Sequence, residues 1–554
     1  MVLTGVMLVW MAPTAQGREP LEDRPVVWYA EDDHPIPVPA EAEPGLVPYA
    51  VDAFVGRPFS RFWNPMRFGR WIGTGYRAAD APNVNSLDEV VNSTWFTNRI
   101  GLFPLNDTEL ATGPAAAVGA VDGPDRSRPW TIIGAKTAGI TPGFRIRDGR
   151  GQVWLLKFDT KDHPGMTIRA GVVANLMFHA MGYNVPVDQV VEFELADLVV
   201  GEGATMKLPR WGEVPMTTAN LDSVLTATRS IFKGKFHALA SRYLDGVPIG
   251  PFDDEGRRID DPNDLIRHQD RRELRALRVF ASWINHFDTK MQNSLDMYVG
   301  EPDQGHVRHY LIDFASTLGA YGDEPVKRFG YEFGVDVFPV IGRTFTFGFR
   351  EDPWIPLERA TGLEEVGLLD VETFEPAKWK PDLPHSAMAN LTRRDGYWAA
   401  KIVSSFSDAQ LRVLVKQGRY QNPEAVDYLV TTLAGRRDKI VRYWFSEVPP
   451  LDYFKLTAAG LGFRDLGVER GYSVASDTRY RVRLAAVDTE RSADEWTDWE
   501  EITQPEVDLE DAPPSDRGYP FLAVEVQLNR GQGWSKSTTV YLAVASGHVV
   551  ALDR

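Results

Sequence analysis

Lys157, Asp288, Asn293 and Asp313 are the residues whose types and order could carry one piece of chemistry together. The two carboxylates and the amide are hard oxygen donors of the kind that hold Mg²⁺. Lys157 ends the apolar run Val153-Trp154-Leu155-Leu156 and could neutralise phosphate oxygens. Phosphoryl transfer asks a protein for a metal, positive charge and an aligned hydroxyl rather than covalent help, and this set could supply the protein's share. Each residue also has an ordinary reading: Asp and Asn form turns at helix-to-strand junctions, and a lysine can sit on the wet side of a strand. Asp313 resists that reading, because Leu311, Ile312 and Phe314 surround it. A carboxylate in apolar company must be paired, metal-bound or hydrogen-bonded to backbone.

These residues need elements to hold them. TIIGAK, the glycine-containing TAGITPGF, FRIRD, the turn DGRG and QVWLLKFD read as strand, loop, strand, hairpin, strand from Trp130 onward. In IRAGVVANLMFHAMG, Val172, Val173, Leu176, Met177, Ala180 and Met181 recur at helical spacing, and Gly182 closes the helix. VDQVVEFELADLVV and KFHALASRYLDG add strands, giving a mostly antiparallel sheet carrying one helix. After Asp260 a helix carries Leu274, Leu277, Phe280, Ala281 and Ile284 on one stripe, and a β-hairpin between Asp288 and Asp313 follows it. From Pro423 a further helix has Arg436 and Arg437 on its polar, solvated side.

Composition narrows the classes. The chain has 554 residues, net charge −17 and no cysteine, which excludes thiol catalysis, iron–sulfur clusters and disulfides. The acidic balance argues against a nucleic-acid partner. No G-x-x-x-x-G-K-[ST], H-E-x-x-H, G-x-S-x-G or G-x-G-x-x-G motif occurs. His306 and His309 could suggest a metal pair but fall at a polar turn and strand start, and His179 reads as a packing histidine. Residues 1–16 are apolar and resemble a secretory signal lacking its charged start, which predicts a secreted or periplasmic protein; if they are not a signal, the protein is cytoplasmic. No other run is long enough to span a bilayer, so no integral membrane contact is expected.

The octet His286-Phe287-Asp288-Thr289-Lys290-Met291-Gln292-Asn293 resembles the protein-kinase catalytic loop H-R-D-L-K-P-E-N, with Asp, Lys and Asn in step. Leu311-Ile312-Asp313-Phe314-Ala315 resembles the metal-binding D-F-G strand with Ala for Gly, and Thr137-Ala138-Gly139-Ile140-Thr141-Pro142-Gly143 resembles the phosphate loop of atypical HipA-like kinases. CotH-like and phosphoinositide kinases are similar in the same sense. The resemblance covers about residues 130–445. It implies Asp288 as catalytic base, Lys290 beside the transferring phosphoryl group, Asn293 and Asp313 on Mg²⁺ (or Mn²⁺), and Lys157 on the nucleotide phosphates. Gly139, Thr141 and Gly143 would cover those phosphates, and Arg242 to Gly246, with Tyr243 and Asp245, would meet adenine. The implied cofactors are ATP and Mg²⁺, and the acceptor a hydroxyl of a protein or small molecule.

The expected fold is α+β. A two-lobed protein-kinase-like core has its N-lobe over 129–248 and its helical C-lobe over 249–448; an irregular strap and linker over 17–128 precede it, and a β-sandwich over 455–554 follows. Two departures stand out. The helix after Lys157 contains no acid to pair with it between Thr167 and Met181, leaving Asp159, Asp162 or a more distant residue, and Phe287 replaces the usual Arg. They keep open an alternative: a catalytically silent kinase-like module of the cell envelope. The C-terminal β-domain could then contact an envelope partner, with Trp496 and Trp499 as surface, core or partner contacts.

Overall fold

The computed structural model describes residues 19–42, 45–57, 78–136, 142–160, 162–208, 212–228, 231–232, 234–322, 325, 327–334, 354–514, 518–543 and 545–554. Residues 1–16, read as a signal, therefore lie outside the described residues. The chain divides into two compact units: one of Trp28–Asn85 and Glu89–Val448, the other of Met1–Val27, Ser86–Asp88 and Pro449–Arg554. It is an α+β protein with one large mixed sheet and several smaller ones.

The larger unit begins with an extended stretch in which Ile36 bridges Gly305 and Ala42 donates to the carbonyl of Ile249. Within the expected irregular strap, α1 (Leu46–Val51) is helical. Its proline, Pro48, falls in the first turn, where a missing N–H costs nothing. Helix α2 (Asp107–Thr112) likewise interrupts the expected linker, started by a capping box between Asn106 and Glu109.

Strands β1 (Trp130–Ala135), β2 (Gly143–Arg147) and β3 (Val153–Lys157) follow as the alternation predicts. Helix α3 (Met166–Met181) comes next, then β4 (Asp188–Phe193), β5 (Leu198–Leu208), β6 (Gly212–Pro215), α4 (Thr218–Thr228), β7 (Ile231–Phe232) and β8 (Lys235–Arg242). The strands run in the order β4-β8-β3-β2-β1-β5-β6, with β7 paired to β8. The pairing is antiparallel except between β1 and β5, which are parallel.

One face of this sheet is the core. Ile132, Phe144, Ile146, Trp154, Leu156, Val191 and Ala238 pack there with Leu221 and Leu225 of α4. The period of two then sends Leu155 and Lys157 to the opposite face, the face α3 covers. Helix α3 is apolar all round and buried along almost its whole length, as an interior helix must be. A Cβ added at Gly171 would lie 3.2 Å from Leu239 and 3.7 Å from the Ala315 backbone, so glycine lets the helix lie close to both.

Beyond the sheet come β9 (Val247–Pro248), α5 (Arg272–Ile284), β10 (Ser294–Val299), β11 (His306–Leu311), α6 (Arg393–Val403), α7 (Asp408–Gln417) and α8 (Pro423–Glu447). Thr392, Ser407 and Asn422 cap the last three helices. This region buries charge: Asp395 meets Arg272 at 3.0 Å and Arg275 at 3.5 Å, all three inaccessible to solvent. Arg436 corrects its sequence reading. It is buried, lies 3.7 Å over the Phe374 ring, and donates to the carbonyls of Ser282, Trp283 and Asp370. Those of Ser282 and Trp283 lie in the last turn of α5, where carbonyls lack the regular helical donor four residues on, and the guanidinium fork supplies one.

In the smaller unit, β12 (Leu451–Thr457), β13 (Gly460–Asp465) and β16 (Glu506–Val507) form one sheet. The other comprises β14 (Arg479–Val487), β15 (Glu500–Ile502), β17 (Phe521–Asn529), β18 (Thr538–Ala543) and β19 (His548–Asp553). Leu451 and Phe463 of the first share a core with Val482, Val524 and Val540 of the second. Trp496 and Trp499 belong to a ladder with β14: Arg483 lies 4.6 Å over each ring, and Arg481 lies 4.4 Å over Trp499 and 4.6 Å over Trp534. Among the described residues no helix is long and apolar enough to cross a membrane.

Replacing Asp395 with Ala leaves two buried guanidinium groups without their shared carboxylate. Asp395→Ala is expected to destabilise the larger unit by about 3–5 kcal/mol, read from its urea midpoint. A loss below about 1 kcal/mol would mean the arginines are satisfied by other groups.

Candidate functional site

The site begins with two ways of stopping an element. Helix α5 ends at Asn285, whose φ of 51° turns the chain out of the helix. The Asn285 amide donates to Phe329 and accepts from Trp379, which fixes that turn. Strand β11 ends at Leu311, and Asp313 two residues on has φ 58°, an uncommon conformation for a residue other than glycine. Both turns deliver a loop to the α3 face of the large sheet.

Across 156 residues of chain, Lys157 Nζ donates to Asp313 Oδ1 at 3.0 Å. The lysine side chain is 14% exposed and the aspartate 42%, so the carboxylate is the open end of the pair. Burial alone would lift the Asp313 carboxyl. Lys157, and beyond it Lys136 and Lys290, bring it down to about 2. Burial opposes the Lys157 charge in turn, but Asp313 and Asp188 hold its pKa above the ordinary lysine value.

The loop from His286 to Asn293 is internally braced. Lys290 Nζ grips both oxygens of Asp288, at 2.6 and 2.8 Å. Asn293 Nδ2 donates to the Asp288 carbonyl at 2.6 Å, which leaves its Oδ1 as the atom a cation could use. Ile312 N donates to the Asn293 carbonyl at 3.0 Å, tying this loop to the residue before Asp313. His286 Nδ1 donates to the Ser316 carbonyl, and its ring packs against Phe178 and Phe314. Burial keeps this histidine neutral, which suits a structural tie better than a proton carrier. Thr289 Oγ1 and both amide atoms of Gln292 are buried with no hydrogen-bond partner, the kind of unsatisfied group that gathers at functional sites.

Lys157 and Lys290 both act on Asp313, Asp288 and Asp313 both act on His286, and Asn293 is bonded into the His286–Asn293 loop. Gly143 sits opposite Lys157 in the β2–β3 ladder. Gly139 and Thr141 lie outside the described residues. Tyr243 and Asp245 follow the end of β8: Tyr243 N donates to Val153, and Asp245 is exposed and paired with Arg242 at 2.9 Å. His309 is accounted for otherwise, bonded to Asp296 at 2.6 Å and stacked on Trp95 at 3.5 Å. His179 is held neutral, its pKa pushed down to about 3 by burial and Arg99.

Two participants are absent from the sequence reading, and a third has a role that it did not foresee. Lys136, just past β1, is half-buried beside Lys157, and burial plus that neighbouring charge lowers its pKa to about 8. Asp188, first residue of β4, faces Lys157 from the same sheet. Phe287 does more than fail to be Arg: it stacks on Phe329 at 4.0 Å, so the segment after Asp313 docks here by apolar contact. Asp159, one of the acids considered for Lys157, is spent elsewhere, accepting from the backbone of Gly165, Thr167 and Ile168 at the start of α3.

The arrangement could bind a polyanion through its lysines and a divalent cation through Asp313 and Asn293. Among the described residues no group of three or more His, Asp or Glu is placed to hold a metal by itself, so any cation here would need oxygens from a ligand. No protein-family model matches the chain, and no curated protein does. Among solved structures, the crystal structure of a Helicobacter pylori proinflammatory kinase, CtkA, is similar at 10% identity and a TM-score of 0.30, covering 55% of this chain and 94% of that one.

Because its pKa is near 8, Lys136 sheds its proton as pH rises through that value, whereas Lys157 stays charged. Affinity for inorganic triphosphate, measured by calorimetry, is expected to fall about fivefold between pH 7 and 9, the value of one screened charge contact near 1 kcal/mol. Lys136→Met should flatten that slope. A slope unchanged in the variant would place Lys136 outside the anion site.

Proposed function

We propose that this chain is an atypical kinase-like phosphotransferase that moves the γ-phosphoryl group of ATP to a hydroxyl. The Lys157–Asp313 ion pair carries the reading. It joins the end of a sheet strand to a left-handed turn 156 residues later, and the loop that carries Asp288, Lys290 and Asn293 is bonded to the residue before Asp313. An ion pair with that much chain between its members, and a lysine only 14% exposed, is costly unless the site needs both charges.

On this reading Lys157 and Lys136 neutralise nucleotide phosphate oxygens. Asp313 and Asn293 Oδ1 would hold Mg²⁺, whose contribution when bound is to screen the phosphate charge and align the β- and γ-oxygens. Asp288 accepts the acceptor's hydroxyl proton as the oxygen forms its bond to phosphorus and the bond to the ADP oxygen breaks. Lys290, already on both Asp288 oxygens, keeps that carboxylate oriented and stands beside the charge in flight. His286 and Phe314 hold the two loops at a fixed separation.

A catalytically silent module remains the second reading, favoured by the absence of any acid along α3. The two separate in one experiment. ATP with Mg²⁺ is expected to raise the thermal midpoint of the full chain, by about 2.7 kcal/mol of added stability at a hundred times Kd. Asp313→Ala should remove that shift while leaving the ligand-free midpoint folded. Asp288→Asn should keep the shift and lower phosphotransfer at least about a hundredfold. A shift without turnover in the native chain would select the silent module, and neither shift nor turnover would reject both.

A further inference from the structure

We propose that Asp188 is the acid to which the Lys157 ammonium passes when Asp313 is taken up by a cation, so that Asp188 positions Lys157 in the loaded site. The purpose of this exchange rests on the phosphotransferase reading; the exchange itself does not.

The need for it comes from the pair. Lys157 is only 14% exposed, and its hydrogen-bonded partner is Asp313, the residue a divalent cation would claim. A cation on Asp313 would leave a buried ammonium facing a second positive charge. Helix α3 offers no acid between Met166 and Met181, and Asp159 is committed to three backbone N–H groups.

Sheet register supplies the alternative. Lys157 lies opposite Leu239 and Leu155 opposite Ser241 in the β3–β8 ladder; Val190 lies opposite Leu239 and Asp188 opposite Ser241 in the β4–β8 ladder. Paired residues point to one face, so Lys157, Leu239, Ser241 and Asp188 all share the face under α3. Lys157 and Asp188 sit two strands apart on that face, offset by two residues across the intervening β8, and each is already felt by the other's charge.

Asp188 is 6% exposed, and its Oδ1 has no hydrogen-bond partner. A buried carboxylate oxygen left unsatisfied is an acceptor in search of a donor. Ser241 and Asn175 bear on the group without satisfying that atom. Asp188 also borders a cavity of about 150 Å³ shared with Val172, Leu176 and Arg419. Burial lifts its pKa to about 6 against the pull of Lys157, so an ammonium moving closer would stabilise the charged form further.

Asp313→Asn removes the same charge a cation would neutralise and needs no ligand. In a crystal structure of the full-length variant, Lys157 Nζ is expected about 3 Å from an Asp188 oxygen. A lysine that stays on residue 313, or turns to solvent, overturns the proposal. In solution, Asp188→Asn is expected to lower the thermal midpoint about 4 °C more in the Asp313→Asn background than in the native chain. That extra loss should vanish once Lys157→Met is added, and Asp188→Glu in the same background should recover part of it. Equal losses in both backgrounds, or an extra loss that survives Lys157→Met, would make Asp188 a structural acid unconnected with the lysine. If the double variant does not fold, the crystal structure of the single one decides. None of these measurements contains nucleotide. An exchange seen in a chain without phosphotransfer would therefore support this inference and overturn the proposed function, and turnover in a chain whose lysine never meets Asp188 would do the reverse.

Discussion

The ion pair between Lys157 and Asp313 constrains much of the larger unit. To bring an amine at the end of β3 within 3.0 Å of a carboxylate just past β11, the sheet and the β10–β11 hairpin must be held in one geometry. A buried lysine and an aspartate with positive φ are each unfavourable alone, so the surroundings must over-determine both. Helix α3 does this from above. It touches Leu239 and the Ala315 backbone through Gly171, and through Phe178 it packs on Phe314 at 5.1 Å and His286 at 5.7 Å. One apolar helix thus sets the distance between the sheet that carries the lysines and the loops that carry the acids.

The acids are held from the other side by a polar scaffold buried among helices. Arg436 occupies the last carbonyls of α5, Asn285 turns the chain, and His286 ties the start of one loop to Ser316 beyond the other. These groups touch no candidate ligand. They fix the direction in which the chain leaves the helix toward Asp288, and under the proposed function that direction matters because misplacement by about 1 Å can cost two orders of magnitude.

The sequence made some of this legible for identifiable reasons. Strands β1 to β3 announce themselves by alternation and by Gly-containing turns, and α3 by its spacing and its closing Gly182. Asp313 could be singled out because a carboxylate between Ile312 and Phe314 demands an explanation that local structure does not give. The less legible features depend on register or tertiary burial. Asp188 opens a strand whose opposite residue, Ser241, lies more than fifty positions away, and a sequence period cannot say which residues two strands share. Lys136 looks like any lysine leaving a strand. Arg436 reads as solvated because helical periodicity assigns faces but not neighbours, and here the polar face meets the unsatisfied end of another helix. Phe287 could be seen to depart from the resembled motif, but its stacking on Phe329 needed the fold.

Charges of both signs are interleaved among these residues. Lys290 meets Asp288 and Lys157 meets Asp313, Lys136 lies beside Lys157, and Asp188 is an acid whose ionisation burial resists. A polyanion entering alone would gain the lysines but meet two carboxylates. A divalent cation entering alone would gain the carboxylates but meet three ammonium groups. Entering together, each removes the other's repulsion, because the cation occupies the acids while the anion occupies the amines. Under the proposed function, this charge pattern would favour a metal-bound polyphosphate over either component.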